Sequence, residues 1–390
     1  MLETPNKTEP ALIPPISDNH RCKENAIVYL AQKKHSSYGR DSYSLLQKSL
    51  HLLYTNYLAN NHDNTAVFIF HEGDFTHKDW EFLVLESTIP IIGNLHFVNL
   101  ANTEFWEIPE WLRQDDPDKW QGSKRYRVGY RHMMRWYAVK IWDFFHLLNQ
   151  QEGCEYKYIM RLDEESYLHS PIDYNLFDHM KNHDYVYGFR QCSYEMGPVQ
   201  QVFKNFTKEN PDIPIYRKSG GLCGFYNNFF IASLDFFRSP HVQQFLQWVD
   251  QQGVIYQKRV NDLVLQTAAV YAFAPPAKIH RFLDFTYEHF TMTRRGCPFW
   301  GGIQAGYADP NGWRTVYQWK EKYLSQPKVV EHCKLQGPDN LRGVRFDEII
   351  DEKDLSPSYQ HLPPRMKGNV QLQQIAAGFV DLPDKLLNSG

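Results

Sequence analysis

The stretch YKYIMRLDEES, residues 156–166, places an apolar run directly before three consecutive acids, Asp163, Glu164 and Glu165. A short apolar run of this kind, with tyrosine and isoleucine among its residues, predicts a buried β-strand. In open α/β sheets, ligands bind outside the carboxyl ends of the strands. The acids therefore stand where such a sheet would carry its binding site.

Strands and helices alternate on both sides of this stretch. Short apolar runs predict further strands, and segments with apolar residues three or four positions apart predict helices. The predicted strands are residues 26–31, 66–70, 95–100, 185–189 and 224–231, and the predicted helices are residues 42–58, 130–148, 234–251 and 260–272. This alternation is typical of a mostly parallel central sheet with helices on both faces, so the expected fold class is α/β.

The 390 residues suffice for one large domain. Residues 1–24 are polar and contain prolines, which predicts a tail, and the regular pattern weakens after residue 298. We therefore expect one domain over residues 25–305 and an extension over residues 306–390. No stretch approaches the roughly 20 apolar residues of a membrane span, and the first residues lack the apolar core of a signal peptide.

Charge and motif content exclude several classes of protein. A net charge of −3 argues against a nucleic-acid partner. No GxGxxG, Walker A, HExxH or GxSxG motif is present, which argues against a nicotinamide dinucleotide enzyme, a P-loop NTPase, a zincin and an α/β-hydrolase. The six cysteines are scattered without a CxxC pair, so a structural zinc site is not expected, and the sequence leaves disulfide formation open.

The acids after the strand favour a divalent cation. Asp163 and Glu165, at positions i and i+2, can face one hard ion, and Mg²⁺ or Mn²⁺ prefers oxygen ligands and often also binds substrate phosphates. A solvated turn is the alternative interpretation of the acidic cluster. Arg161 lies on the same side of the strand as Asp163. It either binds a phosphate or carboxylate directly or forms a buried ion pair that orients the acids.

Four motifs resemble those of a known family. Residues 130–136 (YRHMMRW) are similar to its element YRxMCRF, and residues 158–165 (YIMRLDEE) are similar to YYWRVEPD. Residues 223–231 (CGFYNNFFI) are similar to CHFWSNFEI, and the following LDFFRS, residues 234–239, matches closely. The family is that of the fungal α-1,2-mannosyltransferases, glycosyltransferase family 15. The resemblance covers roughly residues 25–300.

The resemblance implies a GT-A type nucleotide-diphospho-sugar transferase fold, GDP-mannose as donor and Mn²⁺ (or Mg²⁺) as cofactor. It also implies an α-1,2-mannosyl transfer with retained anomeric configuration to a glycan, glycoprotein or glycolipid acceptor. We expect no nucleic-acid partner. The chain as given is expected to be soluble, in the cytoplasm by default, or in the Golgi lumen if the full protein carries an anchor outside this sequence.

The resemblance also implies a set of metal ligands. Asp163 stands where the family has its metal-binding Glu, and Glu165 stands at the second acid. His289, in DFTYEH before the Cys297-Pro298 pair, matches the late metal-binding His. We therefore expect these three residues to bind one ion, with Asp163 in contact with the nucleotide-sugar through it.

Three further residues match active-site positions of the family. Tyr130 and Arg161 do so in the first two motifs, and Arg161 is also expected to bind the donor. Asp262, in NDLVLQ, matches the acid of the family element GDAPVH, whereas Gln266 replaces the final His of that element.

The clearest departure is Phe230, which stands at the position of the family's candidate nucleophilic Glu. Phe has no carboxylate to attack an anomeric carbon. Three interpretations follow: a front-face mechanism, a different acid such as Asp262, or a catalytically inactive protein. A non-catalytic module that binds a sugar nucleotide or glycan is therefore the main alternative, and a two-carboxylate glycoside hydrolase is a further one.

Overall fold

A computed structural model of the chain describes residues 22–33, 42–61, 64–86, 95–193, 199–216, 224–289, 291–292, 298–299 and 303–304. The predicted extension, residues 306–390, lies outside the described residues, and so does all but the end of the predicted tail. Within the described part of the chain, no helix is both long and apolar enough to cross a lipid bilayer.

The described residues form twelve strands. They are β1 Asn25–Leu30, β2 Thr65–His71, β3 Leu95–Asn99, β4 Tyr158–Leu162, β5 Ser166–Leu168, β6 Tyr187–Ser193, β7 Gly224–Ser233, β8 Ile279–Arg281, β9 Tyr287–His289, β10 Thr291–Met292, β11 Pro298–Phe299 and β12 Ile303–Gln304. The predicted strands thus all occur, with ends that differ by a few residues.

The α-helices are α1 Ser42–Leu53, α2 Ala59–Asn61, α3 His77–Glu86, α4 Val128–Arg135, α5 Ile141–Glu152, α6 Leu176–Asn182, α7 Val199–Glu209, α8 Leu234–Arg238, α9 Pro240–Gln251, α10 Val254–Lys258 and α11 Asp262–Phe273. Two π-helical turns, Tyr54–Leu58 and Trp136–Lys140, connect α1 to α2 and α4 to α5. In the same described ranges there are also four 3₁₀ turns: Glu104–Trp106, Glu110–Leu112, Pro117–Lys119 and Pro276–Lys278.

The central sheet has seven strands in the order β3-β2-β1-β4-β7-β6-β8. Strands β1 to β4 are mutually parallel, and β8 is parallel to β6. Strand β7 is antiparallel to both of its neighbours, β4 and β6. The predicted mostly parallel sheet is therefore present with one reversed strand, which its apolar pattern does not distinguish from a parallel one.

This strand order locates a ligand-binding edge. The chain adds β2 and β3 on one side of β1, then crosses to add β4 on the other side. Ligands of open α/β sheets bind at such a reversal, outside the carboxyl ends of the strands. Strand β4 ends at Leu162, so the acids that follow it project into this crevice.

Apolar side chains cover both faces of the sheet. Phe230 on β7 belongs to one core cluster, together with Trp142 of α5 and Phe237 of α8. Its neighbour Phe229 belongs to the second cluster on the opposite face, together with Met160 of β4. This alternation along one strand is the pattern expected of a sheet buried on both faces.

The helix predicted over residues 234–251 is wrong in one respect, because it is two helices. Helix α8 ends at Arg238, and α9 begins at Pro240. Proline lacks the N–H that would continue the first helix, and its fixed φ suits the first position of the second. The break could have been predicted from Pro240 alone.

A disulfide between Cys22 and Cys154 joins the segment before β1 to the segment after α5. Beside it, the N–H of Lys157 donates to the carbonyl of Glu24 at 2.7 Å. Residues 22–24 therefore belong to the folded body. These are the last three residues of the predicted tail, residues 1–24.

Candidate active site

The acidic turn after β4 is closed by Ser166. The N–H of Ser166 donates to the carbonyl of Asp163 at 2.9 Å, and the N–H of Asp163 donates back to Ser166 Oγ at 3.2 Å. Ser166 Oγ also lies 3.1 Å from the carbonyl of Asn228 and 2.8 Å from the hydroxyl of Tyr287. The turn is thus held against both β7 and β9.

A small antiparallel sheet brings His289 to this turn. Strand β5 continues from the turn and pairs with β9, so that His289 lies directly opposite Ser166. His289 Nε2 is 3.6 Å from Asp163 Oδ2 and 3.9 Å from Glu165 Oε1. The three residues expected to bind one metal ion are therefore neighbours in space.

The other ring nitrogen of His289 has a partner of its own. Nδ1 lies 3.3 Å from the hydroxyl of Tyr226 on β7. A contact to one ring nitrogen commonly orients a ligating histidine so that the other nitrogen faces the ion. Tyr226 is positioned to do this, since Nε2 faces the two carboxylates.

The donor set fits a divalent metal. Adjacent ligands of an octahedral ion at about 2.1 Å lie about 3 Å apart, so small side-chain rotations bring the pairs at His289 to ligand spacing. The described residues contain no group of three or more His, Cys, Asp or Glu side chains that could hold a metal ion as they stand. A site completed by substrate phosphates and water needs fewer protein ligands. Carboxylates suit Mg²⁺ and Mn²⁺, and the imidazole favours a transition metal such as Mn²⁺ over Mg²⁺.

Arg161 is a buried residue that connects two acids of the site. Its Nε donates to Asp163 Oδ1 at 2.9 Å, and its Nη1 donates to Asp262 Oδ2 at 2.7 Å. Its guanidinium carbon lies 3.4 Å from the ring centroid of Tyr137, and its side chain is only 4% exposed. Of the two roles considered for Arg161, this geometry favours the buried ion pair that orients the acids.

These contacts keep both partners charged. Burial alone would lower the pKa of Arg161, but the carboxylates of Asp163 and Asp262 raise it well above its usual value. Burial would raise the pKa of the Asp163 carboxyl, but the Arg161 charge lowers it to about 2. Asp163 is therefore ionised at neutral pH, as a metal ligand must be.

Asp262 begins α11, where the side chain of Asn261 caps the helix by accepting from the N–H of Val264 at 3.0 Å. Asp262 Oδ2 accepts from Arg161, and it accepts a second hydrogen bond from Asn227 Nδ2 at 2.6 Å. The predicted catalytic acid is thus buried and held by two donors.

Tyr130 lies in the first turn of α4 and is 37% exposed. Its ring centroid is 4.9 Å from that of Tyr126, and the guanidinium of Arg259 lies 3.9 Å above the Tyr126 ring. Burial raises the pKa of the Tyr130 phenol, and the nearby charge of Asp262 raises it further. Tyr126, Tyr130 and Arg259 therefore form a cluster next to Asp262, which we call the aromatic rim.

Phe230 is fully buried. It lies opposite Arg161 in the β4–β7 ladder. Its ring packs against Tyr187, with centroids 5.6 Å apart, and against Trp142 at 6.2 Å. The structure therefore supports a core-filling role for this ring.

Sequence reasoning missed several polar residues of the site. Asn227 and Asn228 are consecutive asparagines inside an otherwise apolar strand, and asparagine is depleted in strands. Asn228 Nδ2 donates to Asp163 Oδ2. Gln266 is a buried amide on α11, which the sequence identified only as a departure from the family element and not as a residue of the site. Polar residues within mostly apolar elements could have indicated that these positions belong to the site. Arg259 was also missed, and its position three residues before Asp262 was the signal there.

Comparison with known proteins identifies the family. The family model described as Glycolipid 2-alpha-mannosyltransferase matches residues 4–305, and the chain belongs to this family. The glycolipid 2-alpha-mannosyltransferase of Saccharomyces cerevisiae is 30% identical over 207 residues, which are 48% of this chain and 46% of that protein. Glycolipid 2-alpha-mannosyltransferase 1 of Candida albicans is 28% identical over 298 residues, 66% of each chain. The chain thus spans about half the length of the first relative and two thirds of the second.

Solved structures agree on the fold. The mannosyltransferase Ktr4p from S. cerevisiae in complex with GDP superposes with a TM-score of 0.58 at 21% identity, covering 74% of each chain. The core-mannan synthase A (CmsA/Ktr4) from Aspergillus fumigatus, in its Mn/GDP form, superposes with a TM-score of 0.56 at 19% identity, covering 75% of this chain and 82% of that one. The predicted GT-A type fold is therefore confirmed.

Proposed function

We propose that this chain is a metal-dependent glycosyltransferase that moves mannose from GDP-mannose to a hydroxyl of a glycan, glycoprotein or glycolipid acceptor. The linkage proposed is α-1,2, with retention of the anomeric configuration. The observation that carries this proposal is the meeting of Asp163, Glu165 and His289 at the carboxyl end of β4. It occurs in a chain whose family is described as 2-alpha-mannosyltransferases.

In this proposal Asp163, Glu165 and His289 hold Mn²⁺ (or Mg²⁺). An ion bound there would supply positive charge to neutralise a departing diphosphate. The relatives named above support both ligands, because one was solved with GDP and the other with Mn and GDP. Arg161 keeps Asp163 oriented and ionised, and Tyr226 orients His289.

The aromatic rim is assigned to the donor. Arg259 stacks on Tyr126 close to Tyr130, and its Nε has no hydrogen-bond partner among the described residues. A guanidinium suits the oxygens of a diphosphate, and an aromatic ring suits the apolar face of a sugar. We therefore place the diphosphate next to Arg259 and the mannose next to Tyr130.

The proposed transfer forms no covalent glycosyl-enzyme at position 230, because Phe230 has no lone pair and is completely buried. Instead, the acceptor oxygen attacks the anomeric carbon from the face that the diphosphate leaves. The bond between that carbon and the phosphate oxygen breaks, and the acceptor proton passes to the released diphosphate. In this proposal the carboxylate of Asp262 stabilises the positive charge that develops on the sugar during transfer.

A nucleotide-release screen tests the proposal. Purified protein is incubated with GDP-mannose, GDP-fucose, UDP-glucose or UDP-galactose, with Mn²⁺ or with a chelator, and with a mannose-terminated oligosaccharide as acceptor. We expect GDP release from GDP-mannose only, dependent on both Mn²⁺ and acceptor. Tight UDP binding without GDP binding would refute the proposal that GDP-mannose is the donor. GDP-mannose binding without any turnover would identify a non-catalytic relative instead.

We also propose that the protein matures in an oxidising compartment, which favours the Golgi lumen over the cytoplasm. Disulfides persist in secretory compartments and are rare in the cytosol. The Cys22–Cys154 bridge, with its Cα atoms 5.0 Å apart, supports this placement. Thiol titration of protein isolated from its native cells under alkylating conditions tests it. Free Cys22 and Cys154 would refute it.

A further inference from the structure

Two buried amides lie directly behind Asp262. Asn227 Nδ2 is 2.6 Å from Asp262 Oδ2 and 3.3 Å from Gln266 Oε1. Gln266 Oε1 also accepts from the hydroxyl of Tyr187 at 3.4 Å. Asn227 is 5% exposed and Gln266 is fully buried. Both amides therefore lie in the protein interior, where Asn227 contacts the predicted catalytic acid Asp262 directly and Gln266 contacts Asn227.

The contacts close into a ring around Arg161. Gln266 Nε2 donates to the carbonyl of Tyr137 at 2.8 Å, and the ring of Tyr137 lies against the Arg161 guanidinium. Arg161 donates to Asp262, and Asp262 also accepts from Asn227. Asn227 in turn contacts Gln266, which closes the ring. Tyr137 belongs to the π-helical turn Trp136–Lys140, and such turns occur frequently at functional sites.

Burying two amides in an apolar strand and an apolar helix is unfavourable unless their polar atoms are paired. Apolar side chains at positions 227 and 266 would fill the same space without this requirement. What the amides add is a fixed geometry for Asp262, because one of its oxygens receives two donors from different directions. Each donor is anchored on a different element, Arg161 on β4 and Asn227 on β7.

The two positions also differ from the family motifs together. The similar motif CHFWSNFEI has Ser at the position of Asn227, and the element GDAPVH has His at the position of Gln266. In this chain the short hydroxyl and the imidazole are replaced by two amides that contact each other at 3.3 Å. Because the two exchanged residues are in direct contact, we test them as a compensated pair.

We infer that Asn227 and Gln266 are positioning residues that fix Asp262 and, through Arg161, the orientation of Asp163. Their side-chain hydrogen bonds are made to Asp262, to each other, to Tyr187 and to the carbonyl of Tyr137. The inference rests on the proposed function for its effect on transfer. It predicts in addition an effect on metal-dependent nucleotide binding, because Asp163 and Asp262 share the same guanidinium.

The experiment compares Asn227→Ala and Gln266→Ala with the wild type and with Asn149→Ala. Asn149 is a matched control, since its amide also makes two hydrogen bonds within the fold, to the carbonyl and the N–H of Tyr156. Three quantities are measured: kcat and KM for GDP-mannose, the Mn²⁺ concentration that half-saturates GDP binding, and Tm.

For the two site variants we expect kcat to fall about 10- to 100-fold, as is typical when the outer partners of a metal site are removed. The half-saturating Mn²⁺ concentration should rise several-fold, while metal-free GDP affinity and the KM for GDP-mannose change little. Asn149→Ala should lower Tm without changing kcat or the Mn²⁺ requirement. A purely structural role would make all three variants alike. Unchanged kcat and Mn²⁺ requirement in folded Asn227→Ala and Gln266→Ala would overturn the inference.

If the alanine variants do not fold, the milder exchanges Asn227→Ser and Gln266→His serve in their place. Each single exchange should impair transfer, and the double variant should recover at least half of the loss. A double variant that is worse than both singles would show that the two positions are not a compensated pair. A wild type that binds GDP with Mn²⁺ but does not turn over would refute the proposed function, and the Mn²⁺ requirement of the variants would then decide the inference alone.

Discussion

Arg161 and Asp163, two residues apart on one strand and its end, form a buried ion pair with Nε and Oδ1 2.9 Å apart. Removing one partner of such a pair leaves a charge in a poorly solvated place, which costs more than the pair itself contributes. Arg161 keeps a second partner in Asp262 at 2.7 Å. Asp163, a predicted metal ligand, therefore also contributes to the stability of the fold.

Asp163→Asn should lower Mn²⁺-dependent transfer at least about 100-fold, because it removes a charged ligand and disturbs the metal site. Because Asp163 is also a buried partner of Arg161, we expect Asp163→Ala to lower the free energy of unfolding by about 1–3 kcal/mol, measured by urea denaturation.

Glu165→Gln is the matched control for this prediction. It alters a candidate ligand of the same ion without removing a partner of Arg161, so transfer should fall while the free energy of unfolding stays nearly constant. Full activity of Asp163→Asn in the presence of a chelator would contradict the metal assignment.

Phe230→Leu should retain most of the transfer activity, because the ring fills core rather than contacting substrate. We expect it to cost about 1–3 kcal/mol of unfolding free energy through the cavity that it leaves. Phe230→Glu should lose both stability and activity, since it buries a carboxylate among Tyr187 and Trp142. Initial rates and urea midpoints measure the two effects. A strong gain in transfer by Phe230→Glu would mean that the natural protein lacks a nucleophile it could use.

Cys22→Ser/Cys154→Ser should lower the free energy of unfolding by about 2–5 kcal/mol, because the bridge closes a long loop in the unfolded chain. The control is the wild type under reducing conditions, which should unfold at the same denaturant concentration as the double variant. A reductant should not change the midpoint of the double variant itself. Equal stability of oxidised wild type and double variant would contradict the prediction.

Asp250→Ala should destabilise the protein by about 3–5 kcal/mol. Asp250 on α9 accepts two hydrogen bonds from Arg135 on α4, both at 2.9 Å, and the two side chains are 9% and 5% exposed. The exposed pair of Glu107 and Arg113, with side chains 48% and 53% exposed, is the control, and Glu107→Ala should cost under about 1 kcal/mol. Equal effects of the two variants on the urea midpoint would contradict this difference.

Local patterns were enough for much of the fold. The apolar run before Asp163 predicted β4, and comparable runs predicted five other strands of the central sheet, because a buried strand needs apolar side chains whatever its neighbours are. Strand β8, Ile279–Arg281, is only three residues long and was not predicted. The same patterns could not show that β7 is antiparallel, since its residues are buried equally well in either direction. Nor could they show the π-helical turn at Trp136–Lys140 within the helix predicted over residues 130–148.

The sequence by itself determined which chemical groups are available: two acids at a strand end, an arginine on the same side, and a histidine matched through a family motif. Only the tertiary structure decided how they meet. Pairing of β5 with β9 places His289 opposite the acidic turn. The start of α11 brings Asp262 to Arg161, across 101 residues of chain. Side-chain contacts between distant segments depend on how whole elements pack, and the spacing of residues within each segment carries no record of that packing.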